Sequence, residues 1–220
     1  MKHFPIAKEL HTDVLAQKYG QISAKVLRHD EKAREAHLID SNGISRTFAI
    51  TLFPKSIPKQ IKKINEQIKN GSPIGETFRQ NGFEVRKNVL SVNILQIPKW
   101  LKNDFRTGKA SAKYRISEFY AKSQKSKPVI YGTVIEIYSP DFREAKINQI
   151  DLIQLSAPTE ALKKAGFSMQ EIWEKIGDAS LKSQQALREK ANPKAGKLVR
   201  EMENEIMDIL SLPHQSIRKS

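Results

Sequence analysis

A glutamate set inside an apolar strand is the first residue of this chain that calls for a chemical explanation. In VIYGTVIEIYSP, extended alternation places Glu136 on one face with Ile130, Val134 and Tyr138, and leaves Ile135 and Ile137 on the other. A carboxylate there must be paired, solvated in a cavity or protonated, because bare burial is costly. Two placements satisfy this: an edge strand facing water, or the wall of a ligand pocket where the carboxyl transfers a proton or orients a hydroxyl. Three arginines could complement it. Arg115 lies on the strand expected to pair with that of Glu136, Arg46 just after a hairpin turn, and Arg34 just before the first hairpin strand. Planar guanidinium groups clamp carboxylates, so an acid-bearing ligand would recruit at least one, although each alone also reads as a surface arginine.

Other chemistries find less support. His37 has no second histidine in its strand, which favours a core-edge histidine over a metal ligand. No G-x-S-x-G elbow occurs. Gly71 and Gly75 flank Ser-Pro-Ile without the lysine and hydroxyl of a phosphate loop. No metal and no cofactor is therefore expected.

The elements that would hold these residues follow from periodicity. Ile6, Leu10 and Val14 form a helical stripe over 6–18 that Gly20 ends. Ile22, Ala24 and Val26 alternate, and EAHLIDSNGISRTFAITLF reads as two strands around a tight Asn42-Gly43 turn. In the second of these, Phe48, Ile50 and Leu52 form a core face against a semi-polar face of Thr47, Ala49 and Thr51. Pro54 and Pro58 open a helix with an Ile57, Ile61, Ile64 and Ile68 stripe, closed by Asn70-Gly71. After a Pro73-Ile74-Gly75 turn come a long strand, FEVRKNVLSVNILQIP, and a helical turn at Trp100, Leu101 and Phe105. The strands SAKYRISEFYA and PVIYGTVIEIY complete a largely antiparallel sheet. Beyond Pro140 the signals are helical: Thr159 to Gly166, a capping box at Ser168 and Glu171 before Ile172, Trp173 and Ile176, and a helix from Asn192-Pro193 carrying Leu198, Met202, Ile206 and Ile209.

Composition narrows the setting. The 220 residues contain no cysteine, and 38 basic against 24 acidic residues give +14. Residues 151–220 hold 11 Lys/Arg and 10 Asp/Glu, so the excess belongs to residues 1–150, with 27 and 14. A basic face of that kind attracts polyanions, small dianions or acidic surfaces, or is simply well solvated. No helix-turn-helix, zinc-finger or RNA-recognition spacing accompanies it. The N-terminus lacks a signal-peptide apolar run and no segment nears the ~18 apolar residues of a membrane span, so a cytoplasmic protein is expected.

The order of features, from DSNGISRTFAITLFP through an amphipathic helix and GSPIG to the strand ending VIEIYSPDF, resembles the chorismate lyase superfamily, which includes the UTRA effector-binding domains of GntR-type regulators. The similarity spans about residues 20–143. Its marks are Pro73-Ile74-Gly75, matching the family's Pro-Leu-Gly, and Glu136 followed by Pro140. The resemblance implies cofactor-free elimination of pyruvate from chorismate. It places the family's backbone amide at Ile74, with Gly75 beside it, and the hydroxyl-binding carboxyl at Glu136. A gapless count back from Pro54 puts the two family arginines at Glu35 and Ile50, with Arg34 one residue away and Arg46 four away; a bulge would be required for Arg34 to serve. About twenty residues precede the first strand, too few for a winged helix, so a regulator of ordinary GntR layout is not expected.

The expectation is thus an α+β fold: a chorismate-lyase-like domain over 1–150 with packed helices, and a helical C-terminal annex over 151–220. Glu136 would act on a small carboxylate ligand held by Arg34, Arg46 or Arg115, with backbone donors at Ile74 and Gly75. The alternative is a non-enzymatic basic protein that engages nucleic acid or an acidic partner.

Overall fold

The computed structural model describes residues 10–124, 127–142 and 193–212. The helical signals at Thr159 and at Ser168 to Ile176, and the position of Ile6, lie outside these residues. The described fold is α+β, built on a six-stranded, wholly antiparallel sheet. The strands are β1 (Ile22–His29), β2 (Ala33–Asp40), β3 (Ser45–Leu52), β4 (Phe83–Gln96), β5 (Ser111–Ser123) and β6 (Val129–Tyr138). Their order β1-β2-β3-β6-β5-β4 joins two meanders at the β3–β6 ladder, so β6 is an interior strand.

Helices cover both faces. Helices α1 (His11–Tyr19), α2 (Lys62–Lys69, entered through a 3-10 turn at Lys59–Ile61) and α3 (Ile74–Gln80) lie on one face, here the α2 face. Helices α4 (Lys99–Phe105) and α5 (Pro193–Ser211) lie on the other, the α5 face. The isoleucine stripe works as its spacing predicts: Ile61, Ile64 and Ile68 are buried against Val134, Phe119 and Tyr131. Each contributes about 1.5–3 kcal/mol by leaving water. Val199, Ile206, Ile209 and Leu210 of α5 share a cluster with Phe48, Ile50, Ile116, Ile135 and Ile137. Tyr114 Oη–H donates to Glu203 at 2.6 Å and Trp100 Nε1–H to the Leu210 carbonyl at 3.3 Å, so α5 docks on the sheet.

Several local expectations are corrected. The β2–β3 connection is a four-residue loop, Ser41–Ile44, in which Gly43 alone has positive φ (69°). Asp40 builds it, accepting from the amides of Asn42 and Ile44 at 2.9 and 3.0 Å. Residues 74–80 are helical although they read as the end of a turn: in IGETFRQ the apolar pair Ile74 and Phe78 spans a single turn, too short to make a periodic stripe. The semi-polar face of β3 is buried too, with Thr47 and Thr51 at 0% and 1% exposure. In β6 the register shifts between Phe119 and Tyr120 of its partner, so Tyr131 turns inward and Ile130, expected beside Glu136, is exposed. Gly132 sits at this irregularity, where a Cβ would come within 2.6 Å of the Leu52 carbonyl oxygen.

Candidate functional site

Strand register sets the surroundings of Glu136. On β3 its neighbour is Ala49, beyond which lies Ala36 of β2; on β5 its neighbour is Arg115. One side of the carboxylate thus borders two methyl groups and the other a guanidinium. Arg115 donates from Nε and Nη2 to Oε2 at 3.1 and 2.8 Å. Lys87, which faces Phe119 in the β4–β5 ladder, reaches across to pair with Oε1. Tyr138, two residues along the same strand, donates its hydroxyl to Oε2 at 3.2 Å. Glu136 is 4% exposed, so the water-facing edge placement is overturned: β6 has a strand on each side. The cluster fills the polar gap between two apolar ones, Val134 with α2 and α3, and Tyr138 with Leu15 of α1.

The electrostatics follow from this pairing. Burial alone raises the pKa of Glu136, but the charges of Lys87 and Arg115, with His11 adding to them, hold it well below the usual carboxylate range. Glu136 is therefore an ionised acceptor. His11, at the start of α1, is also buried, and burial lowers its pKa to about 3 against the opposing pull of Glu136, with Lys87 and Arg115 lowering it further. The imidazole is neutral at pH 7. Its Nε2 lies 2.8 Å from Thr47 Oγ1, and its ring stands edge-on to Tyr138 and Phe142 at 5.2 and 5.4 Å.

The structure brings some sequence-named residues together and separates others. Arg115 is in the cluster. Arg34 lies within β2 rather than before it, in register with Thr51, which is in register with Val134. Since Val134 shares Glu136's face, Arg34 faces the same side without a bulge, while Glu35 and Ile50 face the other. Glu35 accepts from Arg28 at 3.2 Å and Ile50 is core. Arg46 is not at the site: it bonds Asp40 at 2.8 and 2.7 Å and covers the Tyr19 ring at 4.0 Å. Ile74 and Gly75 begin α3, where Ile74 packs into the α2 cluster and Leu10 lies so close that a Gly75 Cβ would meet its Cδ2 at 3.0 Å. Arg34 Nη2 donates to the Ser72 carbonyl at 3.3 Å, linking it to that turn. His37 is core, between Phe48 and Trp100, with Nδ1 2.7 Å from Ser45 Oγ and Nε2 3.6 Å from Asp104.

Lys87 and His11 escaped the sequence reading. Lys87 is one of many lysines, and only the β4–β5 register, shifted between Val89 and Ser91, shows where it points. His11 adjoins the Leu10 and Val14 stripe, and the neighbouring apolar residues drew the face to themselves. No protein-family model matches this chain, and no curated protein matches it either.

Proposed function

We propose that this protein binds a small hydroxylated carboxylate on the α2 face of its sheet, beside Glu136, and that it is a divergent, cofactor-independent lyase of the chorismate-lyase type acting in the cytoplasm. The observation that carries this reading is an inward, ionised Glu136 flanked by Lys87 and Arg115, a cluster in which cations outnumber the anion. Lys87 and Arg115 retain 24% and 15% side-chain exposure, so both are reachable by an incoming carboxylate. An ionised carboxylate held by two cations is a poor proton donor and a good acceptor for a ring hydroxyl, which favours orientation over proton transfer.

The reaction proposed is elimination. A proton leaves the hydroxyl-bearing ring carbon of chorismate, the adjacent C–O bond to the enolpyruvyl group breaks, and the ring becomes aromatic as 4-hydroxybenzoate. The departing group is the enolate of pyruvate, and it takes up the released proton at carbon to give pyruvate. Glu136 would accept from the hydroxyl, Arg115 and Lys87 would hold a carboxylate, and backbone donors at Ile74 and Gly75 would complete the site. The test is pyruvate release from chorismate without added cofactor, suppressed in Glu136→Ala; no pyruvate above background at saturating chorismate removes the lyase reading. The exposed Lys59, Lys62, Lys63 and Lys69 along α2 favour a second reading, a polyanion contact whose affinity would fall steeply with salt.

A further inference from the structure

The Glu136 cluster holds one acceptor that the elimination described above leaves without a task. Both oxygens of Glu136 already receive donors, Lys87 on Oε1 and Arg115 with Tyr138 on Oε2. His11 is different. Its ring is 9% exposed, and among the described residues its Nδ1 is buried without a hydrogen-bond partner. The other ring nitrogen, Nε2, lies 2.8 Å from the hydroxyl of Thr47, a residue fully buried in β3. Thr47 is in register with Tyr138 and stands two residues from Ala49, the β3 neighbour of Glu136. The ring is therefore anchored one same-face step, about 7 Å along the strand, from the row of the carboxylate.

A buried polar atom without a partner is destabilising, and a task in a reaction is one reason for a fold to keep it. With Nε2–H donating to Thr47, Nδ1 carries the lone pair and can accept a proton. Burial lowers the pKa of the ring, Glu136 raises it, and Lys87 and Arg115 lower it, which leaves the imidazole neutral at pH 7. A bound dicarboxylate adds negative charge beside the ring and acts in the same direction as Glu136, so the base strengthens once substrate is in place. The lyase reading requires such a base, because Glu136 orients the ring hydroxyl and the proton on the carbon bearing that hydroxyl needs a separate acceptor. We infer, on the strength of that reading, that His11 is a catalytic residue whose Nδ1 takes the proton from the hydroxyl-bearing ring carbon and returns it to the departing enolate. The C–H electron pair forms the new ring double bond as the adjacent C–O bond breaks, and that bond's pair leaves on the enolate oxygen. The imidazolium, stabilised by Glu136, then gives its Nδ1 proton to the methylene carbon of the enolate and is neutral again. Thr47 is a positioning residue that fixes the tautomer.

The test is steady-state turnover of chorismate by the wild-type full chain and by His11→Gln, whose side-chain amide can still donate to Thr47 but has no basic nitrogen. A fall in kcat of about 100-fold or more is expected, the contribution of a positioned base, with KM within about twofold of the wild type. Thr47→Val should lower kcat several-fold in the same sense. Pyruvate released by His11→Gln at unchanged kcat overturns the proposal and leaves the lyase reading standing, and so does a rise in KM alone, which would make His11 a binding group. No pyruvate from the wild type removes both. The nitrogen resonances of His11 in the isotope-labelled wild type give a readout independent of turnover: Nδ1 without a proton is expected, and a proton on Nδ1 overturns the proposal. Should His11→Gln fail to fold, the Thr47→Val kinetics and the protonation state of Nδ1 decide it.

Discussion

Arg115 and Glu136 stand directly opposite each other in the β5–β6 ladder, and two guanidinium nitrogens converge on one carboxylate oxygen at 3.1 and 2.8 Å. A cross-strand pair so placed is held by the sheet itself, with little side-chain freedom left to lose. Lys87 and Tyr138 complete the shell, so the carboxylate anchors three side chains from three strand positions.

Removing that anchor leaves two cations facing each other. Glu136→Gln is expected to destabilise the protein by about 2 kcal/mol, below the ~3–5 kcal/mol of a fully buried pair because Lys87 and Arg115 are partly solvated. Urea unfolding measures this. The double variant Lys87→Met with Glu136→Gln should recover part of the loss, since one of the opposed charges is gone. Strictly additive losses would show that the lysine and the carboxylate do not interact.

His11 sets a pH dependence of definite sign. Its pKa falls from 6.5 to about 3 on folding, chiefly through burial, so below 6.5 the unfolded chain binds a proton that the folded one refuses. The stability His11 allows is complete above pH 6.5 and is lost as pH falls toward 3, at up to about 1.4 kcal/mol per pH unit. Glu136, also depressed, adds loss below about 4.5 with the same sign. The His11→Gln variant, which cannot titrate at that position, should have a shallower slope between pH 6.5 and 4.5, where burial of His29 contributes the remainder, and below 4.5 should keep only the part of the fall that Glu136 supplies. An unchanged slope in that variant would assign the titration elsewhere.

The strands and the isoleucine helix were legible because their periodicities are strong and their boundaries carry Pro, Gly and Asn. Glu136 stood out for the same reason: a charge at an apolar position violates a clear pattern. What the pattern could not carry was register. Whether Arg34 or Glu35 faces the site depends on pairing with Thr51, and Lys87 reaches Glu136 only because of where β4 slips against β5. Ile130 was misplaced because one irregularity beside Tyr131 reverses the alternation before it. Short α3 left little signal, since one apolar pair, Ile74 and Phe78, makes a single turn and no repeating stripe.

Arg46 offers the sharpest separation of structure from ligand binding. Its guanidinium bonds the carboxylate of Asp40, which also caps the amides of Asn42 and Ile44, and its flat face lies on Tyr19 at the end of α1. Asp40 has its pKa lowered: burial opposes, while the Ile44 amide and Arg46 outweigh it. Arg46→Met keeps the apolar stem against Tyr19 and removes the charge-assisted bonds, so a loss of about 1.5–3 kcal/mol is expected, the worth of a hydrogen bond to a charged group. Hydrogen exchange should quicken at the amides of Asn42 and Ile44, because the carboxylate that holds them loses its own anchor. Carboxylate binding beside Glu136 should be unchanged, as Arg46 contacts none of that cluster's groups. A variant that folds normally yet loses the ligand would return Arg46 to the site and require the loop to move toward it.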